Sequence, residues 1–144
     1  MSAEREFRTH SADETIATGH LISKLLRPNQ MIVLRGDLGA GKTTLVKGIA
    51  EAFDAAVQED VTSPTFTLVH EYRGPAVTLF HIDLYRVETE RELMTLGIDD
   101  LRAEPGSILL VEWGEKFAQI ADQKDAEIAI ERIGETERRI VFRV

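Results

Sequence analysis

The stretch LRGDLGAGKTTLVKG, residues 34–48, restricts the fold more than any other part of this 144-residue chain. Gly36, Gly41, Lys42 and Thr43 satisfy the spacing G-x-x-x-x-G-K-[ST], with a further glycine at Gly39. The spacing has a physical purpose. Glycines let the backbone curl until successive N–H groups face inward and form a nest for anionic oxygens. A helix that starts there adds its positive end. The flanks agree with this reading. MIVLRG (31–36) is a short apolar run ending in glycine, as expected of a buried central strand. TTLVKGIAEAF (43–53) has the period of a helix, with Leu45, Ile49, Ala52 and Phe53 marking its inner face. The candidate nucleotide-binding set is therefore Gly36, Asp37, Leu38, Gly39, Ala40, Gly41, Lys42, Thr43 and Thr44. In it Lys42 would reach the β- and γ-phosphates, and the Thr43 hydroxyl would bind Mg2+.

The rest of the chain supplies elements to pack around this loop. A first helix opens at SADE, where Ser11 and Glu14 have capping-box spacing. Ile16, Ala17, Leu21, Leu25 and Leu26 follow near a helical period until Pro28 stops it. Pro64 disfavours helix at Ser63. FTLVHEYR and AVTLFHIDLY then read as two strands joined at Gly74–Pro75, hence an antiparallel hairpin. TERELMTLG predicts a short helix with Thr89 and Glu92 at capping-box spacing and Gly97 as C-cap. SILLVEWGE is a second fully apolar strand, KFAQIAD a helix, and AEIAIERI with RRIVFRV a closing hairpin. The sum is an α/β fold, a mixed parallel and antiparallel sheet with helices on its faces, in one domain over 1–144.

Composition narrows the function. With 17 basic and 25 acidic residues the formal charge is −8, which argues against unaided nucleic-acid binding, because that draws on cation–phosphate contacts. The chain has no cysteine, so disulfides and thiolate metal sites are excluded. No apolar run approaches membrane-spanning length and the N-terminus is polar where a signal peptide would be apolar, so the expected setting is cytoplasmic.

A phosphate-binding loop needs an acid for the metal and a group to orient the nucleophile. Glu112 ends the apolar strand ILLVE and Asp83 ends LFHID, and ligands of open α/β sheets collect at such strand ends. For each the other reading is a carboxylate that caps the following turn. Thr65, in SPTFTL, is a candidate ligand of Mg2+, direct or through water, or else an ordinary turn hydroxyl. Trp113 is a candidate to pack near the nucleotide, with a core or interface role as the other reading. His70 and His81 alternate with apolar neighbours and read as structural. D-x-x-G and N-K-x-D are both absent, which sets a GTPase switch aside, and motor and AAA-type ATPases need far longer chains. A small kinase with LYRVETERELM as lid, a small ATPase serving a partner, and a nucleotide-dependent binding module with no useful turnover stay open.

GDLGAGKTTL, TSPTFTLVHEY, HIDLYR with its acidic helix and LGI, and LLVEWGEK occur in this order and spacing. Together they resemble the TsaE family, small ATPases of bacterial tRNA threonylcarbamoyladenosine modification. The motifs span about Arg35 to Lys116. The resemblance implies a P-loop NTPase-like fold, ATP as the nucleotide with Mg2+, and slow hydrolysis by the protein alone. It implies that the chain acts with the TsaB–TsaD pair, which transfers the threonylcarbamoyl group, and that its ATP cycle resets that complex between turnovers. It further implies phosphate and Mg2+ held by Lys42 and Thr43, Glu112 as the metal-side acid, and Asp83 as the acid needed for hydrolysis. Thr65 would belong to a switch-like loop and Trp113 to the nucleotide site. The acidic surface agrees with tRNA held by the partners.

Overall fold

The fold is given by a computed structural model that describes residues 4–37, 39–62 and 68–144. Seven strands form one sheet: β1 (Glu4–Thr9), β2 (Gln30–Arg35), β3 (Val69–Arg73), β4 (Thr78–Asp83), β5 (Ser107–Glu112), β6 (Ala126–Arg132) and β7 (Arg138–Arg143). Five α-helices accompany them: α1 (Ala12–Ser23), α2 (Lys42–Ala52), α3 (Glu90–Thr95), α4 (Ile98–Ala103) and α5 (Ala118–Gln123). The spatial order is β1-β7-β6-β2-β5-β4-β3. Strand β2 lies parallel to both β5 and β6, and β4 lies parallel to β5. Antiparallel pairs flank this centre, β3 on β4 at one edge and β6–β7–β1 at the other. The expected mixed α/β sheet is what the chain forms.

Central strands covered on both faces should be apolar along their whole length. All six residues of β5 are buried, as are Met31 to Leu34 of β2. Alternation sends Ile32, Leu34, Ile108 and Leu110 to one face, where Ile22 of α1 and Leu45 and Ile49 of α2 cover them. Met31, Val33, Leu109 and Val111 go to the other face, under Leu93 of α3, Ile98 of α4 and Ile120 of α5. No helix among the described residues is long and apolar enough to cross a membrane.

The predicted caps form. Ser11 accepts a hydrogen bond from the Glu14 N–H at 3.1 Å, and Thr89 from that of Glu92 at 3.1 Å. Gly97 sits at φ 65° and closes α3 as expected; it also starts α4, a helix that the sequence reading did not include. Strand β1 is also missing from the sequence reading. EREFRT carries almost nothing to bury, and it is held at the sheet edge by its backbone ladder to β7 and by ion pairs such as Glu4–Arg143, 2.8 Å, and Glu6–Arg139.

Helix α1 corrects the expected inner face. Leu21 is 50% exposed and Ala17 is also exposed, whereas Thr15, Thr18, Gly19 and Ile22 are buried. The reason is a glycine crossing. A Cβ added at Gly19 would lie 2.6 Å from the Leu45 carbonyl oxygen, and one at Gly48 would lie 2.1 Å from that of Ile16. Helices this close meet backbone to backbone, so small residues line the contact and large apolar ones are turned aside. The buried hydroxyls are satisfied locally, Thr18 donating to the Glu14 carbonyl at 3.0 Å and Thr15 pairing with Thr9 at 2.8 Å. On α2, Leu45 and Ile49 are buried as expected, whereas Ala52 and Phe53 are only half-buried, at the fraying end of the helix.

Gly48→Ala therefore tests this contact against intrinsic propensity. Alanine favours an isolated helix by roughly 1 kcal/mol, yet here it should destabilise the protein by about 1–3 kcal/mol through overpacking. Urea unfolding followed by far-UV circular dichroism measures the difference. A variant as stable as the parent would mean that the helices separate at little cost.

Candidate nucleotide-binding site

Because β2, β5 and β4 run parallel, their carboxyl ends lie along one sheet edge. The register sets Leu34 opposite Glu112 and Asp83 opposite Glu112. The loop from Gly36 to Gly41 leaves β2 at this edge and enters α2 at Lys42. Gly39 at φ 80° and Gly41 at φ 108° take backbone conformations that side chains disfavour, and the Ala40 N–H closes a turn on the Asp37 carbonyl at 3.0 Å. Among the described residues no side chain caps the start of α2, which leaves its first N–H groups turned to the loop side. Lys42, Thr43 and Thr44 form its first, half-buried turn. Leu38 and Thr65, both among the expected site residues, lie outside the described residues.

Two carboxylates stand side by side at this sheet edge, each almost wholly buried: Glu112 at 4% exposure and Asp83 at 3%. Lys42 Nζ lies 3.1 Å from Glu112 Oε1 and donates to the Gly36 carbonyl at 2.7 Å. The second oxygen, Glu112 Oε2, is 2.5 Å from His81 Nε2. Burial, the largest single influence on the Glu112 carboxyl, works to raise it. The hydrogen bond and electrostatic pull of the His81 ring, then the charge and hydrogen bond of Lys42, together outweigh burial and hold the group below its ordinary value. Asp83 Oδ1 accepts the Tyr85 N–H at 2.9 Å, so one of its oxygens does cap the turn after β4.

Trp113 follows Glu112 at φ 62°, a left-handed turn that swings its ring back over the loop. Lys42 Nζ is 5.7 Å from the ring centroid, and the Tyr85 ring is 5.3 Å away on another side. Two cavities flank the loop. One, of about 620 Å³, is lined by Gly36, Asp37, Ala40, Trp113 and Ile130 among others; a smaller one, about 230 Å³, touches Gly41, Thr44, Thr15 and Arg138.

The structure thus brings Lys42, Thr43, Glu112, Asp83 and Trp113 to one edge, together with two residues the sequence reading did not assign to the site. His81, read as structural, is fully buried and bonded to Glu112. A polar residue inside the apolar run LFHID, two positions before Asp83 and so on the same strand face, was the available signal. Arg138 arrives from β7. Its Nε donates to the Ala40 carbonyl at 2.8 Å, and its Nη1 donates to the carbonyls of Gly134, Glu135 and Glu137. It ties the phosphate-binding loop to the β6–β7 turn. No local pattern announces a contact between residues 98 positions apart.

With this geometry in place, comparisons with known proteins agree. Residues 9–140 match the family model described as threonylcarbamoyl adenosine biosynthesis protein TsaE. The chain belongs to the TsaE family. A Bacillus subtilis protein named tRNA threonylcarbamoyladenosine biosynthesis protein TsaE is 39% identical over 137 residues, covering 95% of this chain and 84% of that one. A Treponema pallidum protein of the same name is 34% identical over 132 residues, covering 92% and 95%. The crystal structure of Bacillus subtilis YdiB superimposes with a TM-score of 0.74 at 33% identity, over all of this chain and 87% of that one. As a TsaE-family protein, this chain falls within tRNA threonylcarbamoyladenosine biosynthesis.

Two outcomes follow from the geometry. A carboxylate held below its ordinary value of 4.5 stabilises the fold above that pH, and the contribution is lost as pH falls through the lowered value. Urea midpoints of the nucleotide-free protein should therefore drop more steeply below pH 4.5 than those of Glu112→Gln; parallel curves would show that the fold does not lower the Glu112 carboxyl. Arg138→Met removes a charge-assisted bond of about 1.5–3 kcal/mol from the loop. It should weaken ADP binding by calorimetry, and unchanged affinity would make the Ala40 contact incidental to the site.

Proposed function

We propose that this chain is a Mg2+-dependent ATPase that acts with the TsaB–TsaD pair in threonylcarbamoyladenosine modification of tRNA, its ATP cycle resetting that complex between turnovers. The observation that carries the proposal is the buried Lys42–Glu112 pair at the mouth of the loop, with Asp83 one strand away. Lys42 and Glu112 neutralise each other at 3.1 Å, and a ligand that brings phosphate and metal together would engage both.

The residues fit such a ligand. Among the described residues there is no cluster of three or more His, Asp or Glu that could hold a metal ion. Mg2+ needs none, since it is commonly held by one or two carboxylates, waters and substrate phosphates. Thr43 and Glu112 would supply the protein's share, and bound Mg2+ would neutralise charge developing on the phosphoryl oxygens. Lys42 would turn from Glu112 to the β- and γ-phosphates. Asp83, whose Oδ1 is anchored by the Tyr85 N–H, would orient the attacking water. Trp113 would shield the site from bulk solvent. The net charge of −8 supports a reading in which tRNA is held by the partners.

A kinase with residues 84–94 as a mobile lid is less well supported. Lys116 Nζ donates to the carbonyls of Leu84, Tyr85 and Val87 at 3.1, 2.9 and 2.8 Å, which pins the base of that segment. Its own Val87 and Leu93 are buried.

The deciding measurement is ATP turnover with and without TsaB–TsaD, tracing the labelled γ-phosphate. Release as free phosphate, faster with the pair, is the expected result. Label moving to a small acceptor, with no effect of the pair, would establish the kinase. Asp83→Ala should still bind ATP while hydrolysis falls by roughly 10²–10⁴-fold; Lys42→Ala should lose binding as well. Normal hydrolysis by Asp83→Ala would remove that residue from the reaction.

A further inference from the structure

We propose that His81 is a positioning residue for metal use: it fixes the Glu112 carboxylate in the orientation that offers one oxygen to the phosphate-binding loop. This rests on the ATPase reading above. His81 stands on β4, opposite Leu110 of β5, two residues before Asp83 and on the same strand face. Its side chain is fully buried, and Nε2 lies 2.5 Å from Glu112 Oε2. The other ring nitrogen, Nδ1, is buried with no hydrogen-bond partner among the described residues.

That asymmetry decides the direction of the bond. A proton on Nδ1 would be a buried donor left unpaired, which costs the full desolvation of that group. With the proton on Nε2, the ring donates to Glu112 and leaves only a lone pair without a partner. Glu112 Oε2 is then engaged by the neighbouring strand, and Oε1 is the oxygen turned toward Lys42, 3.1 Å from its Nζ. Freed from His81, the carboxylate could rotate and offer Lys42 either oxygen, and its geometry toward a metal would be set by no other side chain among the described contacts. A histidine is also an unusual choice for a fully buried strand position if packing were its whole purpose, since an apolar residue would fill the space without an unpaired ring nitrogen.

Side-chain geometry allows a sharp test. The amide nitrogen of glutamine can reach the place of Nε2, whereas that of asparagine corresponds to Nδ1 and falls short of Glu112. His81→Leu and His81→Asn should raise the Mg2+ concentration for half-maximal ATP hydrolysis by roughly 10–100-fold, as expected for loss of a partner that orients a metal ligand. His81→Gln should bring it back to within about threefold of the parent, consistent with an orienting bond that an amide can replace. ADP affinity measured without Mg2+ should change little in any of the three, because the metal-side oxygen is not used. A Leu variant that folds and keeps the parent's Mg2+ dependence would overturn the proposal, and so would a folded Gln variant no better than Leu. A parent protein that hydrolyses no ATP, or does so without Mg2+, would instead overturn the ATPase reading. Nitrogen NMR of the nucleotide-free parent gives a readout independent of turnover and of variant folding. The His81 proton should reside on Nε2, and finding it on Nδ1 with a bare Nε2 would reverse the assigned donor.

Discussion

A carboxylate buried to 4% exposure at the end of a central strand cannot stand without compensation, and the site is organised around supplying it. Glu112 receives a cation from the phosphate-binding loop and a donor from the adjacent strand β4. Three elements distant in sequence are thereby held at fixed spacing by one group. In the proposed ATPase reading, the Lys42–Glu112 pair is the one that a phosphate and a cation would separate and replace.

The sheet makes this convergence possible. Parallel pairing of β2, β5 and β4 places three strand ends on one edge, and the register puts Asp83 and Glu112 side by side. The glycine crossing then packs α2, the helix that begins at Lys42, backbone against backbone with α1 on one face of the sheet. Arg138 and Lys116 secure the periphery in the same manner, each a cation spending its donors on backbone carbonyls: one on the phosphate-binding loop and the β6–β7 turn, the other on the segment after Asp83. Neither is a surface ion pair of the weak, screened kind.

The local features were legible in advance because local physics makes them. The Gly-Lys-Thr loop, the helix caps at Ser11 and Thr89, the hairpin at Gly74–Pro75 and the continuous apolar runs of β2 and β5 all follow from spacing, capping and period. Strand β1 was not legible, since EREFRT buries little and exists as a strand because β7 offers it an edge. The inner face of α1 was misread for a related reason. Period-based reading assumes that helices meet through large apolar side chains, and here Gly19 and Gly48 let backbones meet instead.

Spacing along the chain was thus enough to specify a phosphate-binding loop, the acids at two strand ends and membership of an α/β class, because each of these is written within a few consecutive residues. Which acid meets the lysine, that His81 belongs to the site, and that Arg138 holds the loop from 98 residues away were decided by strand order and register. Those are properties of the whole sheet. No stretch of sequence encodes them alone, since pairing is chosen by the joint burial of both faces and by the need to satisfy every buried charge at once.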